Sequence, residues 1–391
     1  MGILNKKKEN IEKGEKDYNS LEKIEEETKS FFIDINPLSL QLKFVLTFED
    51  IKKGENSYPP WINFIRKFKN NKIGIIFNNN YLSIYSSNTF KLIYSIKPSK
   101  NNIIMNEVNI FNLSGFIELK NNDLLLWTTN SIIIYKQIKK AYKLLQIINE
   151  FKQGTNYIEY SEYSRYKDKE TECYDLNSLH ELRNGLIVSC NSYGLKFYSK
   201  TNDKYNLISK QKINYNVENI YEIKENNFIL FQKKSITFIS NCVVPSSSST
   251  NNDYRVSFYN IKNNEEKILV EDQAYFGTFS YREALSKIKY IIKDKYLFIS
   301  LPNLFYIYDI SQNKELIKEK EINIKLLCNY FNDLIVAIDL NEKKIKIYQF
   351  KDGIFKFYND FPFQGFTKIL RLNNYNFLGY SNSQLKLLEI K

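Results

Sequence analysis

The sequence is poor in the residues that most reactive sites need. Its 391 residues include one histidine, four cysteines and 12 glycines. No glycine-rich loop of the G-x-x-x-x-G-K or G-x-G-x-x-G type, which would cradle phosphates, occurs in the chain. These shortages count against the nucleotide-binding enzymes, and we expect no cofactor.

The histidine and the cysteines form no recognisable chemical site. His180 has no nucleophile or acidic partner that the sequence identifies, so we expect a structural or surface residue and no catalytic residue. The cysteines lack the C-x-x-C spacing of zinc sites. We expect no metal site and small thiols in a reducing compartment at Cys173, Cys190, Cys242 and Cys328.

The chain also lacks the marks of membrane insertion or export. No apolar run reaches the length of a membrane span, and the start MGILNKKKEN has no apolar secretory core. We therefore expect a cytoplasmic protein. Residues 1–36 carry dense charge and few apolar anchors, so we expect a charged tail there that is disordered or loosely helical.

What the sequence does contain is a repeated pattern of short apolar runs. In one copy Arg183-Asn184-Gly185 marks a turn, Leu186–Cys190 is a short β-branched run, and Leu195–Tyr198 follows a second turn. Short β-branched runs favour strands, and Asn-Gly favours a tight hairpin with positive φ at both central positions. Seven copies end at an aromatic or large apolar anchor, at Tyr85, Tyr135, Tyr198, Ile239, Tyr308, Tyr348 and Leu388. The shorter spacings between copies match propeller blades.

A further strand follows most copies. We predict these fourth strands at 90–96, 142–148, 205–211 and 355–361. The last copy ends with the chain at Lys391, and Gln41–Glu49 is predicted to supply its missing strand, which would close a ring without an open edge. In the fourth copy Ser235–Ser240 is the expected third strand, although Arg255–Ile261 has the same pattern.

These repeats resemble those of WD-repeat β-propellers over Gln41–Lys391. The resemblance rests on the four-strand repeats and on third strands such as Ile307-Tyr308-Asp309-Ile310. No repeat has the Trp-Asp or Gly-His signature of the family, so its side-chain network is not carried over. The resemblance implies an all-β, seven-bladed β-propeller spanning 37–391, closed by the N-terminal strand.

Two long connections carry the candidate binding residues. The connections 151–176 and 273–286 fall at equivalent junctions between blades, so both are expected on one face of the ring. Tyrosine and arginine are enriched at interface hot spots. The predicted partner-binding residues are Tyr160, Tyr163, Arg165, Tyr166, Tyr281 and Arg282. A third insertion, VVPSSSSTNND at 243–253, is expected on the opposite face.

The function expected from these features is that of a non-catalytic protein-interaction scaffold, a monomeric ring within a larger complex. The net charge of +12 leaves open a binder of nucleic acid or anionic membrane. We do not expect either partner, because the lysines alternate with apolar residues as on a solvated sheet face. A third alternative is an enzyme that uses the central channel, with Asn63, Arg183 and Arg371 as possible inputs.

Overall fold

Every regular element that the structure describes is a β-strand. In the computed structural model the described residues are 40–47, 62–78, 80–97, 113–139, 141–150, 176–239, 248–276, 288–301, 304–319, 324–329, 334–339, 342, 344–351, 353–362, 368–372, 376–380 and 384–390. The predicted tail, 1–36, lies outside these ranges.

The strands form seven antiparallel sheets of four strands each. In chain order they are β1 (Leu40–Thr47), β2 (Ile62–Phe68), β3 (Lys72–Phe77), β4 (Leu82–Ser86), β5 (Leu92–Ile96), β6 (Gly115–Glu118), β7 (Leu124–Trp127), β8 (Ser131–Ile138), β9 (Ala141–Asn149), β10 (Leu176–Glu181), β11 (Ile187–Asn191), β12 (Gly194–Thr201), β13 (Lys204–Lys212), β14 (Asn216–Lys224), β15 (Asn227–Ile239), β16 (Ser248–Asn260), β17 (Glu265–Phe276), β18 (Lys289–Lys293), β19 (Tyr296–Ser300), β20 (Phe305–Asp309), β21 (Lys314–Glu319), β22 (Ile324–Asn329), β23 (Leu334–Asp339), β24 (Lys344–Lys351), β25 (Ile354–Pro362), β26 (Lys368–Arg371), β27 (Asn376–Tyr380) and β28 (Gln384–Ile390).

The sheets are the blades of a seven-bladed β-propeller, which confirms the predicted all-β, seven-bladed fold. Blades one to six are β2–β5, β6–β9, β10–β13, β14–β17, β18–β21 and β22–β25, and blade seven is β26–β28 with β1. The first strand of a blade contacts the first strand of the next at most junctions, including β26 with β2. Blades four and five share one apolar cluster, in which Phe231 packs with Leu297 and Ile299.

The outer strand of blade seven comes from the N-terminal side of the chain. β1 runs antiparallel to β28, from the pair Leu40↔Ile390 to the pair Thr47↔Gln384, with one register shift. The sequence placed this strand at Gln41–Glu49. How much this pairing contributes to the stability of the ring stays a prediction.

Asparagine and aspartate take the place of glycine in the tight turns. Of the twelve non-glycine residues with positive φ in the described part of the chain, ten are Asn or Asp. Asn and Asp tolerate the left-handed conformation because their short polar side chains bond to the local backbone. In blade three Gly185 has φ of 82° and Asn184 is absent from that set, so only one central position of that turn is left-handed.

The outer strand of most blades carries a β-bulge at one conserved structural position. The shift lies just before the third-strand tyrosine in five blades, at Ile84/Tyr85, Ile134/Tyr135, Phe197/Tyr198, Ile307/Tyr308 and Ile347/Tyr348. In blade four it lies between Val256 and Ser257. A bulge adds twist to an edge strand and discourages pairing with another molecule. In these five blades the tyrosine anchors read from the sequence therefore mark where the outer strand bends.

The apolar core lies between neighbouring blades. Phe116 of blade two stacks on Phe68 of blade one with ring centroids 4.9 Å apart. A methyl group at Gly74 would lie 2.3 Å from Cζ of Phe116 and 2.4 Å from Cε2 of Phe68. Gly74 is needed here for space, since the two rings occupy the volume that any side chain would fill.

Blade four corrects one prediction. Ser235–Ile239 continues the second strand β15 and is not a third strand; β16 is the third strand, as the alternative at Arg255–Ile261 indicated. Tyr259, which pairs with Phe228, takes the place expected for Ile239. The error arose because a blade strand was assumed to stop after about six residues, whereas β15 and β16 remain paired over 13 residues each.

Candidate interaction face and central channel

The strand order fixes which loops share a face of the ring. In each antiparallel blade the turn between the second and third strands lies at the same end as the connection from the fourth strand to the next blade. We call this end the upper face. The turns between first and second strands and between third and fourth strands lie at the other end, the lower face.

Blade four rises above the ring on the upper face. Its first strand ends its pairing at Asn216↔Lys233, whereas β15 and β16 remain paired up to Ile239↔Ser248. β17 follows them as far as Thr250↔Phe276. We call these overhanging residues, 234–239, 248–253 and 273–276, the blade-four extension.

Cation–aromatic contacts anchor the base of this extension. The Arg255 guanidinium lies 4.0 Å from the ring centroid of Tyr215 and donates from Nη2 to its hydroxyl at 3.2 Å. Nε of Arg255 also donates to Oε1 of Glu271 at 2.7 Å. The ammonium of Lys234 lies 5.8 Å from the same tyrosine ring. Cations over aromatic faces are each worth about 0.5–1 kcal/mol at exposed sites, so the extension is held where it leaves the ring.

The third predicted insertion is on the upper face, which corrects the prediction of the opposite face. Residues 248–253 belong to β16, and the connection between β15 and β16 is a second-to-third turn. The predicted insertion at 273–286 is shorter than expected, because 273–276 belongs to β17.

The six predicted partner-binding residues lie outside the described residues. They belong to the segments 151–175 and 277–287. The flanking strands place the ends of both segments: β9 and β17 finish, and β10 and β18 start, at the upper face. The second segment begins directly after the blade-four extension at Phe276.

Charged and polar side chains on the first strands of three blades influence one another electrostatically. Arg66, His180 and Tyr290 lie on the first strands of blades one, three and five, and Arg66 acts electrostatically on each of the other two. Tyr290 stacks on Phe231 with ring centroids 3.7 Å apart. Burial raises the pKa of the Tyr290 hydroxyl, so it stays neutral at pH 7.

The environment of His180 removes its basicity. Burial and then the charge of Arg66 lower the pKa of His180 to about 3, despite a hydrogen bond to Asn219 that favours the cation. The imidazole Nε2 lies 3.1 Å from Oγ of Ser178, whose hydroxyl donates to the carbonyl of Glu218 at 2.8 Å. The Ser178 proton is therefore directed away from His180, and the pair is unsuited to nucleophilic catalysis.

The channel residues differ from those expected. Asn63 lies at the register shift of β2, between Ile62 and Phe64. Arg183 is exposed on a lower-face turn, and Arg371 ends β26. The sequence analysis missed Arg66. The chain did contain a signal: Arg66 lies three residues before the basic turn residue Lys69, just as His180 lies three residues before Arg183.

Sequence reasoning also missed a clasp that repeats between blades. The backbone N–H of a turn residue donates to a glutamate at the end of the next blade's first strand: Lys69 to Glu118 at 2.8 Å, Lys120 to Glu181 at 2.8 Å and Arg183 to Glu222 at 2.7 Å. The motif Glu-apolar-basic at 118–120, 181–183 and 222–224 is the signal that could have found it. The clasp fixes blades one to four against each other beneath the blade-four extension.

A buried ion pair locks blades two and three. Lys196 and Glu150 form a salt bridge with side chains only 7% and 1% exposed. Ser189 donates to Oε1 of Glu150 at 3.1 Å, and the Tyr198 hydroxyl donates to the same oxygen. On the lower face Asp123 accepts from Tyr205 at 2.7 Å between the same two blades. Polar networks therefore join these blades at both faces.

The described residues contain no group of three or more metal-ligating side chains and no helix that could cross a bilayer.

Comparisons with known proteins place the fold. No protein-family profile and no curated protein matches the chain. It is similar to a chain in the crystal structure of the mitotic checkpoint complex, with 7% identity and a TM-score of 0.57 over 92% of this chain and 95% of that chain. It is also similar to Sqt1 of Saccharomyces cerevisiae, with 10% identity and a TM-score of 0.51 over 86% of this chain and 97% of that chain. At these identities the likenesses show the fold alone, that of a β-propeller.

Proposed function

We propose that this protein is a non-catalytic scaffold that binds other proteins through its upper face. The observation that carries the proposal is the blade-four extension, a three-stranded projection on the face to which both long connections attach. Such a projection offers backbone edges to a partner, while the clasps on the lower face hold blades one to four against each other. A rigid surface loses little conformational entropy on binding.

The channel chemistry supports a non-catalytic role. His180 is neutral and a weak base, and the hydroxyl of Ser178 is committed to a backbone carbonyl. The thiol of Cys190 is buried, and that burial raises its pKa to about 12, so the reactive thiolate is scarce. A buried free thiol also fits the cytoplasm, which we propose as the location.

Part of the basic charge is already paired within the ring. Lys346 bonds Asp339 at 2.9 Å, Lys344 bonds Asp360 at 2.7 Å and Lys200 bonds Asp123 at 2.6 Å. Such lysines lie on strands and are held by carboxylates of the same or the next blade, which makes them poorly available to phosphates. This pairing favours a protein partner over nucleic acid or an anionic membrane.

The partner contacts that we propose are the two aromatic segments whose flanking strands end at the upper face. Tyr160, Tyr163, Arg165 and Tyr166 belong to the segment after blade two, and Tyr281 and Arg282 to the segment after blade four. Replacing the first four with alanine should reduce partner recovery. If these side chains contact a partner and not the core, the melting temperature should stay the same, because surface substitutions rarely cost more than about 0.5 kcal/mol.

Shortening the extension tests the proposal directly. Lys234 and Asp253 are cross-strand partners, so an Asn-Gly turn can replace 235–252 and join them in a short hairpin. The variant should have the same melting temperature as the wild type. It should recover fewer partner proteins from an extract of the protein's own cells. The control Lys262→Ala/Lys267→Ala changes exposed lysines of the same blade at and just after its lower-face turn. Loss of binding in the control, with the shortened variant unaffected, would overturn the proposal.

A further inference from the structure

Blade four leaves part of its second strand without a neighbour on one side, among the residues that the structure describes. β15 pairs with β14 only as far as Asn216↔Lys233 and then continues through 234–239. We call the uncovered side of 234–239 the inner edge. In the other six blades the second strand pairs with the first as far as its own upper end, at Phe77, Trp127, Asn191, Ser300, Asp339 and Tyr380.

Beyond Lys234 the inner edge lacks the bulge, the charges and the proline with which proteins usually protect a strand edge. The ladder between β15 and β16 has no register shift, so no bulge bends it. Residues 235–239 read Ser-Ile-Thr-Phe-Ile, a run rich in residue types that favour strands. The outer edge of the same blade, on β17, has both a register shift and the adjacent charges of Glu271 and Asp272.

The backbone of the inner edge determines the kind of ligand that fits it. In an antiparallel ladder alternate residues direct both N–H and C=O to the same side, so six residues present about three donors and three acceptors. Another strand satisfies such groups, and a strand of this length spans about 20 Å. Because β14 starts at the upper face with Asn216, a strand that continued its line would run antiparallel to β15 and end beside Asn216.

Cations lie where such a strand would end. Tyr215 directly precedes β14, and its ring centroid is 5.8 Å from the ammonium of Lys234 and 4.0 Å from the guanidinium of Arg255. Glu271 accepts from Nε of Arg255, whereas Lys234 is exposed. An acidic residue near the C-terminal end of the added strand would therefore meet charge of the opposite sign.

We propose that the inner edge binds a partner protein by strand addition. The ligand is an extended segment of about six residues that pairs antiparallel with 234–239 and carries an acidic residue near its C-terminal end. Main-chain hydrogen bonds supply the affinity, and Lys234 favours the acidic end. This mode of binding rests on the proposed scaffold function and specifies how the blade-four extension holds its partner.

A library of short random peptides tests this mode of binding before the partner is identified. Phage that display the peptides would be selected on the full-length protein and counter-selected on the variant in which Asn-Gly replaces 235–252. We expect the enriched peptides to carry β-branched or aromatic residues at alternate positions, followed by Asp or Glu. When a synthetic copy of an enriched peptide binds, hydrogen exchange should slow at 234–239 and not on the outer edge at 270–276.

N-methylation of the peptide separates backbone pairing from side-chain contacts. Only alternate amides of an added strand face β15, so methylating one alternate set should abolish binding, while methylating the other set should leave most of it. Lys234→Glu should weaken binding about two- to fivefold, because an exposed ion pair is replaced by a repulsion. The matched control Lys262→Glu, on the lower-face turn of the same blade, should bind as the wild type. Circular dichroism and melting curves would establish that each variant is folded.

The outcomes distinguish strand addition from the broader scaffold function. Strand addition would be overturned if both methylation patterns had the same effect, or if no peptide were enriched on the wild type over the shortened variant. A dimer seen by sedimentation in the wild type and lost in the shortened variant would assign the inner edge to a second copy and overturn it as well. In each of these cases the scaffold function stands if the shortened variant still recovers fewer partners from the cell extract. Full partner recovery by the shortened variant would overturn both.

Discussion

The buried pair between blades two and three predicts a large and strongly non-additive loss of stability. Glu150→Gln keeps the side-chain shape and an oxygen for Ser189 and Tyr198. It removes the carboxylate charge from Lys196, whose side chain is only 7% exposed and also donates to the carbonyl of residue 150 at 3.2 Å. Removing one partner of a buried pair costs about 3–5 kcal/mol, because the other charge stays buried without compensation.

The exposed pair Lys136–Asp203 is the matched control. It joins the same two blades at 2.8 Å, with side chains 41% and 57% exposed. Water screens an exposed pair, so Asp203→Asn should lower the free energy of unfolding far less than Glu150→Gln does. The double variant Glu150→Gln/Lys196→Met should recover much of the loss, since it leaves neither charge behind.

The assay is urea unfolding at 25 °C, followed by tryptophan fluorescence and circular dichroism together. Coincident transitions would justify a two-state treatment of each variant. The reasoning would be refuted if Glu150→Gln cost no more than Asp203→Asn, or if the losses from Glu150→Gln and Lys196→Met simply added.

Three further predictions concern packing, titration and closure. Gly74→Ala should destabilise the ring by about 1–3 kcal/mol in the same urea assay, because its methyl group overlaps Phe116 and Phe68. The folded pKa of His180, about 3, lies below the unfolded value of about 6.5, so stability present above pH 6.5 is lost as the pH falls towards 3, by up to about 1.4 kcal/mol per unit. His180→Asn should remove that slope between pH 6.5 and 5 while the wild type keeps it. Deleting residues 1–47, which removes β1, should lower the melting temperature and promote aggregation through the exposed edge of β28, whereas deleting 1–39 should not; equal melting temperatures would contradict the closure.

The repeat and turn chemistry made most of the fold predictable. Fourth strands expected at 142–148, 205–211 and 355–361 are observed as β9, β13 and β25, each one residue longer at either end. Asn and Asp turn residues and tyrosine anchors recur because the blades share one four-strand antiparallel pattern joined by tight turns. The length of the strands in blade four was predicted wrongly, because the alternation of apolar and polar residues does not show where a strand stops pairing.

The arrangement of the first-strand residues around the axis could not be predicted from the sequence. Arg66, His180 and Tyr290 are far apart in the chain, and they influence one another electrostatically because the ring arranges their first strands around one axis. His180 was expected to be a structural or surface residue, and nothing in the local sequence around Arg66 indicates that it acts electrostatically on His180 and Tyr290. The contacts of the six predicted interface residues stay a prediction.

Cross-linking of the native complex tests the upper-face claim most directly. Lys234 at the base of the blade-four extension and Lys262 on the lower-face turn of the same blade are both exposed, so an amine-reactive reagent reaches both in the isolated protein. In the purified complex, mass spectrometry should find cross-links to partner proteins from Lys234 and not from Lys262. Partner cross-links from Lys262 with none from Lys234 would contradict the account.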